Sequence, residues 1–148
     1  QMGLAAFGKA PPDLSVIARV RGSDWIYTYL KSFYLDESRP LGWNNKLFPN
    51  ASMPNPLWEL QGLQHAEFGP VDPATGERHV EGLKVAQAGR QSAQEFDQTA
   101  RDITNFLEYV GEPAALKRQS VGVWVILFLA ALTFLAYLLK QEYWKDVH

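Results

Sequence analysis

Few side chains in this sequence can do chemistry, and one of them has an unusual setting. Residues 47–58 read LFPNASMPNPLW, with Met53 among three prolines and two asparagines. Proline fixes φ and removes a backbone donor, so the stretch reads as a stiffened loop, neither helix nor strand. A thioether is a soft, neutral ligand for copper or haem iron, and on haem iron it raises the reduction potential. A ligand loop must hold its sulfur still, and prolines do that. Methionine also fills gaps in cores, so packing is the other reading of Met53.

The remaining reactive residues form no set. His65, His79 and His148 lack metal-ligand spacing and read as surface histidines. No glycine-rich phosphate loop and no nucleophile–base pair is recognisable. The carboxylates are scattered and read as solvated faces and helix caps. The sequence has no cysteine. That excludes a disulfide framework, a thiolate zinc site and covalent haem attachment by these residues. A copper carrier would need several soft ligands, and Met2 is the only other one.

The elements that position Met53 follow from periodicity and turn residues. Residues 10–37 read as two short helices: Asp13 caps the first, Gly22 ends it, and Ser23 and Asp24 start the second. Arg19 and Arg21 fall near the C-terminal end of the first, where cations complement the helix dipole. In the second, Ile26, Tyr29, Leu30 and Phe33 recur at helical spacing and share a face. Residues 38–58 read as loop. A short helix over 57–63 stops at Gly62. Residues 65–91 carry turn signals at Gly69-Pro70, Asp72-Pro73 and Thr75-Gly76, and read as a hairpin or an extended excursion. Residues 92–110 read as a helix with a Ser92/Glu95 capping box, an apolar face of Phe96, Ala100, Ile103, Phe106, Leu107 and Val110, and a stop at Gly111 and Pro113.

Residues 121–139, VGVWVILFLAALTFLAYLL, contain no charge and no proline. As a helix they rise about 28 Å, close to the roughly 30 Å hydrocarbon core of a bilayer. Trp124, Tyr143 and Trp144 lie near the ends, where aromatic rings favour the headgroup zone. The reading is an anchor over 117–140, a main domain over 1–116 and a short tail over 141–148. Lys117 and Arg118 on one side balance Lys140 and Lys145 on the other, so charge leaves the orientation open. Residues 1–116 carry ten Lys or Arg against fourteen Asp or Glu, a net charge of −4. An acidic domain does not suit nucleic acid; it suits a basic protein partner.

Three segments together carry a resemblance: APPDLSVIARVRG (10–22), LFPNASMPNPLWELQG (47–62) and LKRQSVGVWVILFLAALTFLAYLLKQEYWKDVH (116–148). They resemble cytochrome c1 of the proteobacterial type, the haem-c subunit of ubiquinol–cytochrome c reductase (the cytochrome bc1 complex). The resemblance implies a mostly α fold: part of a cytochrome c-type helical domain, with one C-terminal transmembrane helix. It implies that Met53 is an axial haem ligand opposite a histidine and that Arg21 pairs with a haem propionate. Pro11, Pro12 and Leu14 would line the haem. It implies electron transfer from the Rieske iron–sulfur protein to a soluble cytochrome c, beside cytochrome b in the bacterial inner membrane. Residues 1–116 would be periplasmic and the tail cytoplasmic.

The family attaches haem c through CxxCH upstream of the PPDLS element, and this sequence has no such motif. With Gln1 as its first residue and no visible signal peptide, the sequence reads as a processed product or the later part of a longer chain. The competing reading is a non-redox membrane-anchored module. It would bind partners through helices in 12–35 and 92–110, with Met53 as packing.

Overall fold

The computed structural model describes residues 9–71, 73, 76 and 78–147. Met2, Asp72, Thr75 and His148 therefore lie outside the described residues. The chain divides into two units, Gln1–Gly111 and Glu112–His148.

The first unit opens with α1 (Ile17–Arg21) and α2 (Ser23–Lys31), joined at Gly22, whose φ of 88° is left-handed. A residue without Cβ takes that conformation at no steric cost, so the chain turns there as expected. The first helix is shorter than its sequence suggested. Asp13 does not cap it; its Oδ1 accepts from the Ser15 N–H at 2.9 Å and the Ser15 hydroxyl at 2.6 Å, closing a local turn instead. Ser23 is likewise no cap, because its hydroxyl donates to Glu108 Oε2 at 2.9 Å.

Ser32 ends α2. Its N–H donates to the Tyr29 carbonyl at 3.2 Å and its hydroxyl to the Thr28 carbonyl at 2.6 Å. Phe33 thus leaves the helical face on which its spacing placed it. It begins strand β1 (Phe33–Leu35), which pairs antiparallel with β2 (Trp43–Asn45). This hairpin lies partly in the stretch read as loop. Phe33 is wholly buried there, a burial that stabilises by about 2–3 kcal/mol.

After the proline-rich loop comes α3 (Trp58–Gln61), then a long hairpin of β3 (Gly62–Val71) and β4 (Arg78–Ala88). The expected short helix and its stop at Gly62 are both present. The hairpin is the alternative the turn residues favoured, and it starts earlier than expected. Helices thus share the unit with two hairpins, so "mostly α" holds only in part.

Helix α4 (Ala93–Gly111) closes the unit. Its capping box is formed: the Ser92 N–H donates to Glu95 Oε2 at 2.8 Å and the Glu95 N–H to Ser92 Oγ at 3.3 Å. Its inner face packs on α1 and α2. Ala18, Ile26 and Leu30 are buried there, flanked by Ile17, Trp25, Leu57, Ile103 and Leu107. Phe96 and Ala100 are buried as expected, but Phe106 is 63% exposed and Thr104 is buried instead. The Thr104 hydroxyl avoids a penalty by donating to the Ala100 carbonyl at 2.8 Å. Charge pins α2 to α4 as well. Asp97 Oδ1 accepts from the Tyr27 hydroxyl and the Lys31 ammonium, and Oδ2 accepts from Arg101 Nε at 2.9 Å.

The second unit contains α5 (Ala115–Tyr143), 29 residues with a mean hydropathy of 2.4 in its most apolar window. It is long and apolar enough to cross a membrane. Lys140 Nζ stands 5.5 Å from the Trp144 ring centroid at its far end.

Candidate functional site

Met53 lies in the loop between β2 and α3 and is 40% exposed. Prolines deny this loop the backbone donors a ladder would use, so its hydrogen bonds have to come from elsewhere. They come from asparagine side chains. Asn45 is wholly buried; its Oδ1 accepts from the Leu47 N–H at 2.9 Å and the Phe48 N–H at 3.1 Å. Its Nδ2 donates to the Tyr29 carbonyl of α2 at 2.8 Å. Asn44 Oδ1 accepts from the Asn50 N–H at 2.8 Å. Past Met53, buried Asn55 accepts from the Leu57 N–H and donates to Gln61 Oε1, each at 2.9 Å. Gln61 Nε2 in turn donates to the Lys31 carbonyl at 3.1 Å.

The loop is therefore held at both ends to α2. Its stiffness was legible in the prolines; these amide pegs were missed. The signal was present as asparagines at 44, 45, 50 and 55 around residues without N–H groups.

Arg21, in the last turn of α1, stands over an aromatic column. Its guanidinium carbon is 4.9 Å from the Trp25 ring centroid and 5.5 Å from that of Phe48. Trp25 stacks on Tyr29 at 4.8 Å with an 11° interplanar angle, and Tyr29 meets Phe33 edge-on at 5.0 Å. The four residues 21, 25, 29 and 33 follow a four-residue spacing along α1, α2 and β1. Phe48 joins from the methionine loop, edge-on to Trp25 at 6.2 Å. Burial raises the Tyr29 phenol above its ordinary value. Beside the loop, bonds from Ser38 and then Asn44 hold the Asp36 carboxyl below the usual range.

The structure thus connects two of the residues singled out by sequence: Arg21 touches Phe48, and Met53 follows five residues later in the same pegged loop. Pro11, Pro12 and Leu14 lie in the exposed lead-in to α1. Among the described residues, no hydrogen bond or ring contact joins them to Arg21 or Met53. His65 and His79 are exposed on β3 and β4.

The residues present fit one face of a haem. Met53 offers an accessible soft donor, Arg21 an exposed cation, and Leu14, Val16 and Phe48 exposed apolar surface. Among the described residues no three His, Asp or Glu side chains gather to hold a metal by themselves. The cysteines and the CxxCH histidine of the other face are absent from the sequence.

The profile of the Cytochrome C1 family matches residues 80–147. The chain is also 55% identical over 142 residues to cytochrome c1 of Allochromatium vinosum, an alignment covering 96% of this chain and 58% of that protein. The chain belongs to the cytochrome c1 family. It is 46% identical to the ammonia monooxygenase gamma subunit of Nitrosomonas europaea, over 96% of this chain and 56% of that protein. It is 28% identical to cytochrome b/c1 of Bradyrhizobium diazoefficiens, over 95% of this chain and 21% of that protein. The chain thus spans little more than half the length of the first two of these cytochrome c1-like relatives.

Proposed function

We propose that this chain is the methionine-bearing, membrane-anchored part of a haem-c electron-transfer subunit of ubiquinol–cytochrome c reductase. The subunit passes electrons from the Rieske iron–sulfur protein to a soluble cytochrome c. It sits beside cytochrome b in a bacterial inner membrane; the name cytochrome b/c1 of one relative supports that association. Residues 117–140 anchor it among the lipids, residues 1–116 are periplasmic and residues 141–148 cytoplasmic. It is enzymatic only as a member of that complex.

The observation that carries the reading is an accessible thioether on a loop pegged by buried asparagines, beside an exposed guanidinium. Haem, when bound, supplies a one-electron ferric–ferrous couple. Met53 donates a sulfur lone pair that favours the reduced metal. The Arg21 fork pairs with a carboxylate. Leu14, Pro11 and Pro12 cover apolar surface and exclude water. An upstream CxxCH supplies the covalent attachment and the opposite ligand. The acidic main domain draws in a basic cytochrome c, an association that weakens as salt rises.

The test is a visible spectrum of the intact natural protein, followed by a redox titration of Met53→Ala. A c-type spectrum and a strongly lowered midpoint potential are expected. A colourless protein points to the non-redox module, and an unchanged potential removes Met53 as ligand. The name of the Nitrosomonas europaea relative offers a second reading, a subunit of an ammonia monooxygenase. Identifying the proteins that copurify with the intact protein separates the two.

A further inference from the structure

Three residues before Met53 the backbone turns left-handed at Asn50, with φ of 64°. Asparagine tolerates that region better than most residues, but something must still hold it there. Asn50 is gripped from two sides. Its N–H donates to Asn44 Oδ1 at 2.8 Å. Arg39 Nη2 donates to its carbonyl at 2.9 Å, and Arg39 Nη1 donates to its Oδ1 at 3.3 Å.

Both grips belong to one hairpin. Asn44 is a buried residue of β2, and its Nδ2 donates to Asp36 Oδ2 at 2.8 Å. Arg39 lies in the connection from β1 to β2. That connection is closed by backbone bonds from Asp36 N–H to the Gly42 carbonyl at 3.0 Å, Arg39 N–H to the Asp36 carbonyl at 3.1 Å, and Gly42 N–H to the Arg39 carbonyl at 3.0 Å. Arg39 Nε is buried without a partner. A buried unpaired donor is costly, so the guanidinium holds Asn50 against a penalty. Beyond Asn50, the methyl of Ala51 is buried, and its N–H donates to the Phe48 carbonyl at 3.3 Å. Pro49 and Pro54 restrict their own φ but tie the loop to nothing.

We infer that Arg39 and Asn44 are the positioning residues of Met53: by clamping Asn50, the β1–β2 hairpin keeps the sulfur in place and slows its exchange for another ligand. This rests on the reading of Met53 as a metal ligand. The clamp touches neither the metal nor the sulfur; it acts through three residues of pegged backbone.

An external ligand competes with the sulfur for one coordination position, so its apparent affinity rises with the fraction of protein whose sulfur is released. The experiment titrates the ferric, haem-loaded, full-length protein with imidazole and follows the optical change. Thermal unfolding of each variant is recorded alongside. Arg39→Ala and Asn44→Ala should each bind imidazole at least tenfold more tightly than the unmodified protein. Arg39→Lys should fall between, because an ammonium is one point donor where the guanidinium is a fork.

Arg39→Lys also serves as the test if Arg39→Ala does not fold. Imidazole affinities within twofold of the unmodified protein for the folded Arg39 and Asn44 variants overturn the clamp, even where unfolding temperatures drop. Met53→Ala is the reference. If it tightens imidazole binding while the clamp variants do not, only the clamp fails. If it changes nothing, the ligand reading itself fails.

Discussion

Asn45 Nδ2 donates to the Tyr29 carbonyl at 2.8 Å, so one buried amide joins the start of the methionine loop to the helix beneath the aromatic column. Its Oδ1 meanwhile takes the N–H groups of Leu47 and Phe48. Replacing it by alanine strands these three backbone groups together. Asn45→Ala should cost about 2–3 kcal/mol, the scale for leaving buried polar groups unpaired. Asn45→Asp keeps the acceptor and loses the donor, so it should also destabilise, with a carboxylate now facing the Tyr29 carbonyl. Denaturant unfolding of both variants measures this. A loss below about 0.5 kcal/mol, the range of ordinary surface substitutions, would show that the amide is dispensable.

The Asp97 carboxyl is held well below the usual carboxylate range by Lys31 first, then by the Tyr27 hydroxyl and Arg101. Its folded pKa is depressed, so the unfolded chain takes up the proton first as pH falls. The stabilisation is fully present above the ordinary carboxylate value, near pH 4, and is lost as pH drops toward the folded value. The unfolding temperature should therefore decline with acid in that window, and Asp97→Asn should flatten the decline. An equally steep decline in the variant would assign the acid sensitivity to other carboxylates.

Gly62 has φ of 92°, and a Cβ there would stand 2.2 Å from the Gln87 carbonyl oxygen and 2.5 Å from the Gly89 nitrogen. Both are backbone atoms at the neck of the β3–β4 hairpin, and neither can swing aside. Gly62→Ala should cost about 3 kcal/mol or more, from left-handed strain and overpacking together. Gly22→Ala is the control. It shares the positive φ but has nothing within 4 Å, so only the conformational part of the cost remains. Equal losses at the two sites in unfolding measurements would remove the steric part of the argument.

What the sequence disclosed follows from where its signals are local. The capping box of α4 involves residues three apart, and the stop at Gly62 needs only a residue without Cβ, so both were legible. The β1–β2 hairpin was not. Its three-residue strands are too short for alternation, and Phe33 fits the helical period of α2 until Ser32 closes that helix. The outward rotation of Phe106 depends on which turn of α4 meets α1 and α2, which is tertiary information. At the candidate site the residue types of Met53 and Arg21 spoke for themselves. The asparagine pegs join residues as far apart as Tyr29 and Asn45, and composition alone does not pair them.

Arg21 offers the sharpest separation between stacking and charge. Its guanidinium lies 4.9 Å from the Trp25 centroid, a contact worth about 0.5–1 kcal/mol at an exposed position. If stacking were its whole role, Arg21→Gln and Arg21→Lys would each lose up to that much stability and leave the haem potential alone. If it pairs with a carboxylate of the haem, removing the cation favours the oxidised, more positive metal. Arg21→Gln should then lower the midpoint potential, while Arg21→Lys, which keeps the charge, should stay near the original value. Redox titrations of the full-length protein at low and high salt test this, since screening should shrink the difference for so exposed a charge. Identical potentials in the unmodified protein and both variants would leave Arg21 as a cap on its aromatic column.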